Sequence, residues 1–113
     1  MADPNCVFCK IVAGEIPATK IYEDEHTVAF EDTNPQAPTH VLIVPREHFA
    51  DIGDIGRDEA ASAGFVAGVR GLAAQLGLEH YRTVCNTGAE VGQSVFHLHA
   101  HVLAGRQMGW PPG

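Results

Sequence analysis

Short apolar runs alternate with charged or glycine-marked breaks along the chain, and their periods predict a small set of elements. Ile21-Tyr22-Glu23 and Thr27-Val28-Ala29-Phe30-Glu31 are strand-like. Between them, Asp24-Glu25-His26 reads as a solvated hairpin tip. His40-Val41-Leu42-Ile43-Val44-Pro45 is almost continuously apolar, which predicts a central strand covered on both faces and ended by the proline. Tyr81 to Asn86 is another strand. A helical period appears at Phe65, Val69, Leu72 and Leu76, one stripe of a long helix from about Arg57 to Leu76, with Gly77 as its stop. A shorter helix is expected over Lys10 to Glu15, ended at Gly14. Asp32 to Thr39 is loop, because Pro35 and Pro38 forbid regular structure.

The run that organises the rest is Ser94-Val95-Phe96-His97-Leu98-His99-Ala100-His101-Val102-Leu103. Read as a strand, it places His97, His99 and His101 in a row on one face, about 6.6 Å apart, and turns Phe96, Leu98, Ala100 and Val102 to the other. A row of imidazoles is costly to bury without partners. Two chemistries use such a row. One is nucleophilic catalysis, with one histidine attacking and its neighbours handling protons and charge. The other is a catalytic metal held by His-x-His.

Composition narrows the setting. At 113 residues with a formal charge of −7, the chain is one domain without the Lys/Arg cluster that nucleic acid or an anionic membrane requires. No apolar run approaches a membrane span, and Met-Ala-Asp-Pro-Asn lacks the features of a signal peptide, so a cytoplasmic protein with reduced thiols is expected. Cys6-Val7-Phe8-Cys9 is then half of a zinc site or a redox pair, with histidines as the available further ligands. Cys85 reads as a small buried hydrophobe.

Smaller features add to this. Thr87 to Ser94 contains Gly88 and Gly92, which let backbone N–H groups converge on an anion just before the histidines. Asp32 at its loop edge is placed to hold sugar hydroxyls. Gly64, Gly68 and Gly71 cost about 1 kcal/mol each in a helix relative to alanine, so they signal close approach of another backbone. That backbone belongs either to the same helix of a second subunit or to the chain's own sheet. The only tryptophan, Trp110, stands in a proline-rich ending and is expected to dock.

His97-Leu98-His99-Ala100-His101-Val102-Leu103 resembles the signature of the histidine triad (HIT) superfamily. Phe8-x-x-Ile11, Glu15-Ile16-Pro17-Ala18, Pro35 to His40, Gly92-Gln93-Ser94 and Gly105 to Gly113 look like its Hint branch, the purine nucleoside phosphoramidases, across nearly the whole chain. The resemblance implies an α+β, HIT-like fold: a five-stranded antiparallel sheet with one long helix and a short N-terminal helix. It implies a single domain over 1–113 and a homodimer with a continuous sheet, the tail 104–113 lying near the dimer interface and active site.

It also implies hydrolysis of the P–N bond of AMP- or GMP-amine conjugates through a nucleotidyl-histidine, with no cofactor for catalysis. His99 resembles the nucleophile. His101 resembles the residue contacting phosphate and passing a proton to the leaving amine, and His40 the outer histidine that orients the nucleophile. Ser94 with the Gly92-Gln93 backbone resembles the phosphate cradle, with Asn86 beside it. Asp32 and Thr33 match ribose-holding positions. Phe8, Ile11, Ile16, Phe30 and Leu42 resemble the walls of the purine slot. Cys6, Cys9, His48 and His97 match the ligands of a structural zinc in related proteins, a closed site. The competing readings are a non-catalytic nucleotide-binding scaffold, a dinucleoside polyphosphate hydrolase, and a zinc hydrolase built on His97, His99 and His101.

Overall fold

The computed structural model describes residues 2–113, so Met1 of the expected 1–113 domain lies outside the described residues. The elements run α1 (Val7–Val12), β1 (Lys20–Glu23), β2 (Thr27–Glu31), β3 (Thr39–Pro45), α2 (Ile52–Ile55), α3 (Glu59–Gln75), β4 (Arg82–Val84) and β5 (Ala100–Ala104), with a 3-10 turn over Ala89–Val91 before β5. The strands form one antiparallel sheet in the order β1-β2-β3-β5-β4. This is the expected five-stranded architecture. No described helix is long and apolar enough to cross a membrane.

Period-two alternation divides the central strands between two cores. Ala29, Val41, Ile43, Ala100 and Val102 point to one face and pack with Phe65 and Leu72 of α3. Val28, Phe30, Leu42 and Val44 point to the other and pack with Phe8, Cys9 and Ile11 of α1. His40 shares strand parity with Leu42, and His101 pairs directly with Leu42, so both histidines belong to the α1 face. The functional side chains therefore sit between the sheet and the short helix.

The helix starts differ from the sequence reading for identifiable reasons. Cys6 caps α1, its Sγ accepting the Cys9 N–H at 3.3 Å, which brings the helix start forward of Lys10. Asp58 caps α3 by accepting the Ala61 N–H, so the long helix begins at Glu59 rather than Arg57. Asp51 caps a separate one-turn α2, which contains Gly53 and ends at the C-cap Gly56. Asp24 is no solvated tip residue: it accepts from the Tyr22 hydroxyl, the His26 N–H, and both the N–H and hydroxyl of Thr27. Burial opposes its ionisation, but those donors win and hold its carboxyl below the usual value.

The helix glycines pack on the chain's own sheet, not on a second copy of α3. A Cβ at Gly64 would meet the His26 ring at 2.5 Å, one at Gly68 would meet Thr27 Oγ1 at 2.5 Å, and one at Gly71 would meet the Tyr22 hydroxyl. Thr27 is fully buried and hydrogen-bonded to Asp24, so it has nowhere to retreat. Gly68→Ala is accordingly expected to cost about 2 kcal/mol through overpacking, outweighing alanine's better helix propensity. A thermal melt below that of wild type checks this.

Two further expectations are corrected. Only Ala100–Ala104 of the histidine run is strand; residues 94–99 form an irregular approach to it. Phe96 consequently turns outward and is 53% exposed, whereas Leu98, Ala100 and Val102 are buried as expected. Trp110 does not dock among the described residues and is 83% exposed, although Arg82 Nη1 anchors the neighbouring Gly109 carbonyl at 3.0 Å.

Candidate active site and metal centre

Cys6, Cys9, His48 and His97 converge between α1 and the end of β3. Cys6 Sγ stands 3.3 Å from His97 Nδ1, and Cys9 Sγ stands 3.3 Å from His48 Nδ1 and 3.5 Å from His97 Nδ1. In a zinc tetrahedron with ordinary Zn–S and Zn–N bonds the sulfur–nitrogen edge is about 3.6 Å, so the donors already hold nearly the required spacing. His97, fully buried, donates from Nε2 to the Pro45 carbonyl at 2.9 Å, which leaves Nδ1 with its lone pair toward the cysteines. Burial lowers the His97 pKa to about 4 against the opposing effect of that carbonyl, keeping the ring a neutral ligand. Burial also pushes the Cys9 thiol up. The donor set and spacing fit a structural zinc.

Beside it, His99 is 7% exposed and meets Phe8 edge-on, ring centroids 5.1 Å apart. Its Nδ1 donates to the His97 carbonyl at 2.9 Å, leaving Nε2 with the lone pair. His101 lies next to His99, ring centroids 5.1 Å apart, closer than an ideal strand spacing because His99 precedes the strand. His40 reaches His101 and not His99: His40 Nε2 and His101 Nδ1 are 2.9 Å apart. His99 is held by a backbone carbonyl, and His40, expected to orient His99, contacts His101 instead. Asp32 Oδ2 lies 3.3 Å from His40 Nε2 and 3.9 Å from His101 Nδ1.

A backbone group settles the proton positions. The Gln36 N–H donates to His40 Nδ1 at 2.9 Å, so the proton of neutral His40 is on Nε2 and is donated to His101 Nδ1. His101 then carries its own proton on Nε2. Burial, followed by the neighbouring His99 and His40, lowers the His101 pKa against the opposing pull of Asp32. The donor atoms of Asp32, His40 and His101 are close enough for a metal. With its proton fixed on Nε2, however, His40 offers that group a donor rather than a lone pair. His97, His99 and His101 do not converge on one point either, since both ring nitrogens of His97 are engaged elsewhere.

A cavity of about 490 Å³ opens beside this cluster, lined by Phe8, Ile11, Ile16, Phe30, Asp32 and Thr33 among others. Leu42 does not reach its wall; it pairs across the sheet with Phe30 and is buried in the same apolar cluster. Asn86 lies beside Gly92 as expected. The expected phosphate cradle is corrected in its details. The Gly92 and Gln93 N–H groups are spent on the Ala89 and Gly88 carbonyls. The Gln93 side chain is a buried staple, accepting from the Gly88 N–H and donating to the Ala50 and Val95 carbonyls. Ser94 is exposed and lines a separate groove with Cys6, His48 and Phe96. Its hydroxyl and N–H remain available for an anion.

Sequence reasoning missed the link of Asp32 to the histidines, the Gln36 N–H and the Pro45 carbonyl. The hairpin register could have given the first: Glu31 pairs with Val41, which sets Asp32 opposite His40.

An antiparallel sheet carrying a histidine cluster beside an apolar slot, with a Cys₂His₂ set at its flank, defines a compact class of α+β proteins. Residues 13–108 match the HIT domain, and the chain belongs to the HIT family. It is 46% identical over 111 residues to an uncharacterized HIT-like protein of Synechocystis, covering 96% of this chain and 97% of that one. It is 45% identical over 115 residues to a 14 kDa zinc-binding protein of Zea mays, covering 98% and 90%. The crystal structure of a HIT family hydrolase from Legionella pneumophila superposes with a TM-score of 0.89 at 49% identity, covering 96% of this chain and all of that one.

Proposed function

We propose that the chain is a purine nucleoside phosphoramidase of the Hint branch, cleaving the P–N bond of AMP- or GMP-amine conjugates, lysine conjugates included. The observation that carries this reading is the bond from His99 Nδ1 to the His97 carbonyl. It presents a lone pair at Nε2 in a ring touching Phe8, itself a wall of the apolar slot. A purine fills the slot between Phe8, Ile11, Ile16 and Phe30, and the ribose meets Asp32 and Thr33. His99 Nε2 bonds to phosphorus as the P–N bond breaks. The amine departs with a proton that His101, partly open to solvent, relays to it. Water then displaces His99, its proton leaves by the same route, and the nucleotide is released. The uncommitted hydroxyl and N–H of Ser94 steady the phosphoryl oxygens.

The test is hydrolysis of an adenosine phosphoramidate by the purified protein, with and without brief exposure to chelator. Turnover insensitive to chelator is expected. AMP binding without turnover would favour the nucleotide-binding scaffold, and preferential cleavage of a dinucleoside polyphosphate would reassign the substrate.

The working unit is proposed to be a homodimer in the cytoplasm, where zinc thiolates stay reduced. β4 is an edge strand, and beside it an apolar groove of about 440 Å³ is bounded by Ile52, Val66, Val69 and Tyr81. Val66 is 68% exposed there, and the unsupported Trp110 leaves the same edge at Arg82. Pairing of two β4 edges covers all of these. Val66→Asp is expected to shift the sedimentation coefficient to that of a monomer.

A further inference from the structure

The rings of His99 and His101 are neighbours, yet their hydrogen bonds give them opposite tautomers. The His97 carbonyl takes the Nδ1–H of His99, exposing a lone pair at Nε2. The Gln36 N–H holds His40 Nδ1, His40 Nε2–H holds His101 Nδ1, and His101 is left with a proton on Nε2. Gln36 is also held through its carbonyl, in the next peptide, where Arg106 Nε donates at 2.8 Å; Arg106 Nη1 donates to the Gln107 carbonyl at 2.9 Å. Pro35 and Pro38 flank the same loop, and Pro38 packs against Gly105 at the end of β5.

We propose that Arg106 and the Gln36 peptide are positioning groups that hold His101 in the Nε2-protonated tautomer, so that His99 alone presents a lone pair to the reacting phosphorus. Were His40 free to move its proton to Nδ1, His101 could protonate Nδ1 and turn a second lone pair toward the site. That lone pair would repel the phosphoryl oxygens and withdraw the proton needed by the leaving amine. The groups facing His101 are His99, His40 and Asp32. Among them Asp32 lies nearer His40 Nε2, at 3.3 Å, than His101 Nδ1, at 3.9 Å, so its carboxylate favours the same proton position on His40. The choice is set at His40 Nδ1 by the Gln36 N–H, a group with no side-chain identity, and by the arginine that holds the same residue through its carbonyl.

This inference rests on the phosphoramidase reading for its kinetic consequence but not for its structural one. Long-range proton–nitrogen correlation spectra of the histidine rings read the tautomers directly. In wild type they are expected to show protonated Nε2 on His40 and His101 and protonated Nδ1 on His99. Gln36→Pro deletes the N–H and retains the carbonyl; Arg106→Leu releases the carbonyl; Arg106→Lys restores a donor to it. The first two are expected to mix the His40 and His101 tautomers and lower kcat about tenfold with KM within about twofold, and Arg106→Lys to recover part of both. Protonated Nδ1 on wild-type His40 overturns the proposal, as does an Arg106→Leu protein with wild-type tautomers or with shifted tautomers and unchanged kcat. If wild type turns over no phosphoramidate, the functional reading fails while the spectra still decide this one.

Discussion

His99→Ala is expected to lose turnover of adenosine phosphoramidates by on the order of 10⁴-fold or more while still binding AMP within a few-fold of wild type. On the proposed route the ring supplies the atom that bonds to phosphorus, and neither neighbour is placed to substitute. His97 has both nitrogens committed, and His101 presents a proton. The slot is built mainly from α1, β2 and the segment between α1 and β1, so its walls survive the change. The void left beside Phe8 costs on the order of 1–2 kcal/mol of stability, which a thermal melt separates from the kinetic loss. Calorimetry with AMP and a steady-state assay of the same preparation complete the test. Residual activity above about one per cent of wild type would mean that another group attacks phosphorus, and the nucleotidyl-histidine route would be abandoned.

Much of this arrangement was legible in the chain because binary pattern and local chemistry agree. β2 is bounded at Thr27 and Glu31 by the acidic turn before it and the proline loop after it, and β3 reads as central from its unbroken apolar run. The zinc set followed from Cys-x-x-Cys together with family positions, since two thiols in a reduced setting have few other uses. The misreadings share a cause: they depend on backbone groups. His97 and His99 look like strand residues because they alternate, but the Leu98 N–H bonds the Phe49 carbonyl instead of a neighbouring strand, and the chain enters the sheet only at Ala100. Gly92 and Gln93 look like a phosphate cradle, yet their N–H groups close the 3-10 turn before Ser94. Which ring His40 would serve was invisible, because a Gln36 peptide N–H leaves no trace in residue identity. The helix glycines were ambiguous in sequence, and only the positions of His26, Thr27 and Tyr22 decide between sheet and partner.

Loss of the metal is expected to be the most damaging change to the fold. Protein stripped of zinc under denaturing conditions and refolded, or Cys9→Ala, should melt about 15 °C below wild type, with zinc falling from one per chain to well under one. The six-residue α1 cannot hold itself, and its apolar side chains Phe8 and Ile11 form one wall of the slot. Apart from those contacts it is tied to the sheet through Cys6 and Cys9 to His97 and His48. Burial disfavours the Cys9 thiolate, so without an ion the thiol stays protonated and the donor set is held by weak sulfur hydrogen bonds alone. Because protons compete for the thiolates, zinc affinity falls as pH falls. Turnover should drop as well, through the position of His99. The His97 ring anchors the carbonyl that receives His99 Nδ1–H, so a loosened His97 lets the nucleophile rotate. Cobalt reconstitution separates this from catalysis by the ion: restored melting with the wild-type kcat is expected of a structural metal. A kcat that changes with the ion while the melting temperature does not would place the metal in the reaction itself.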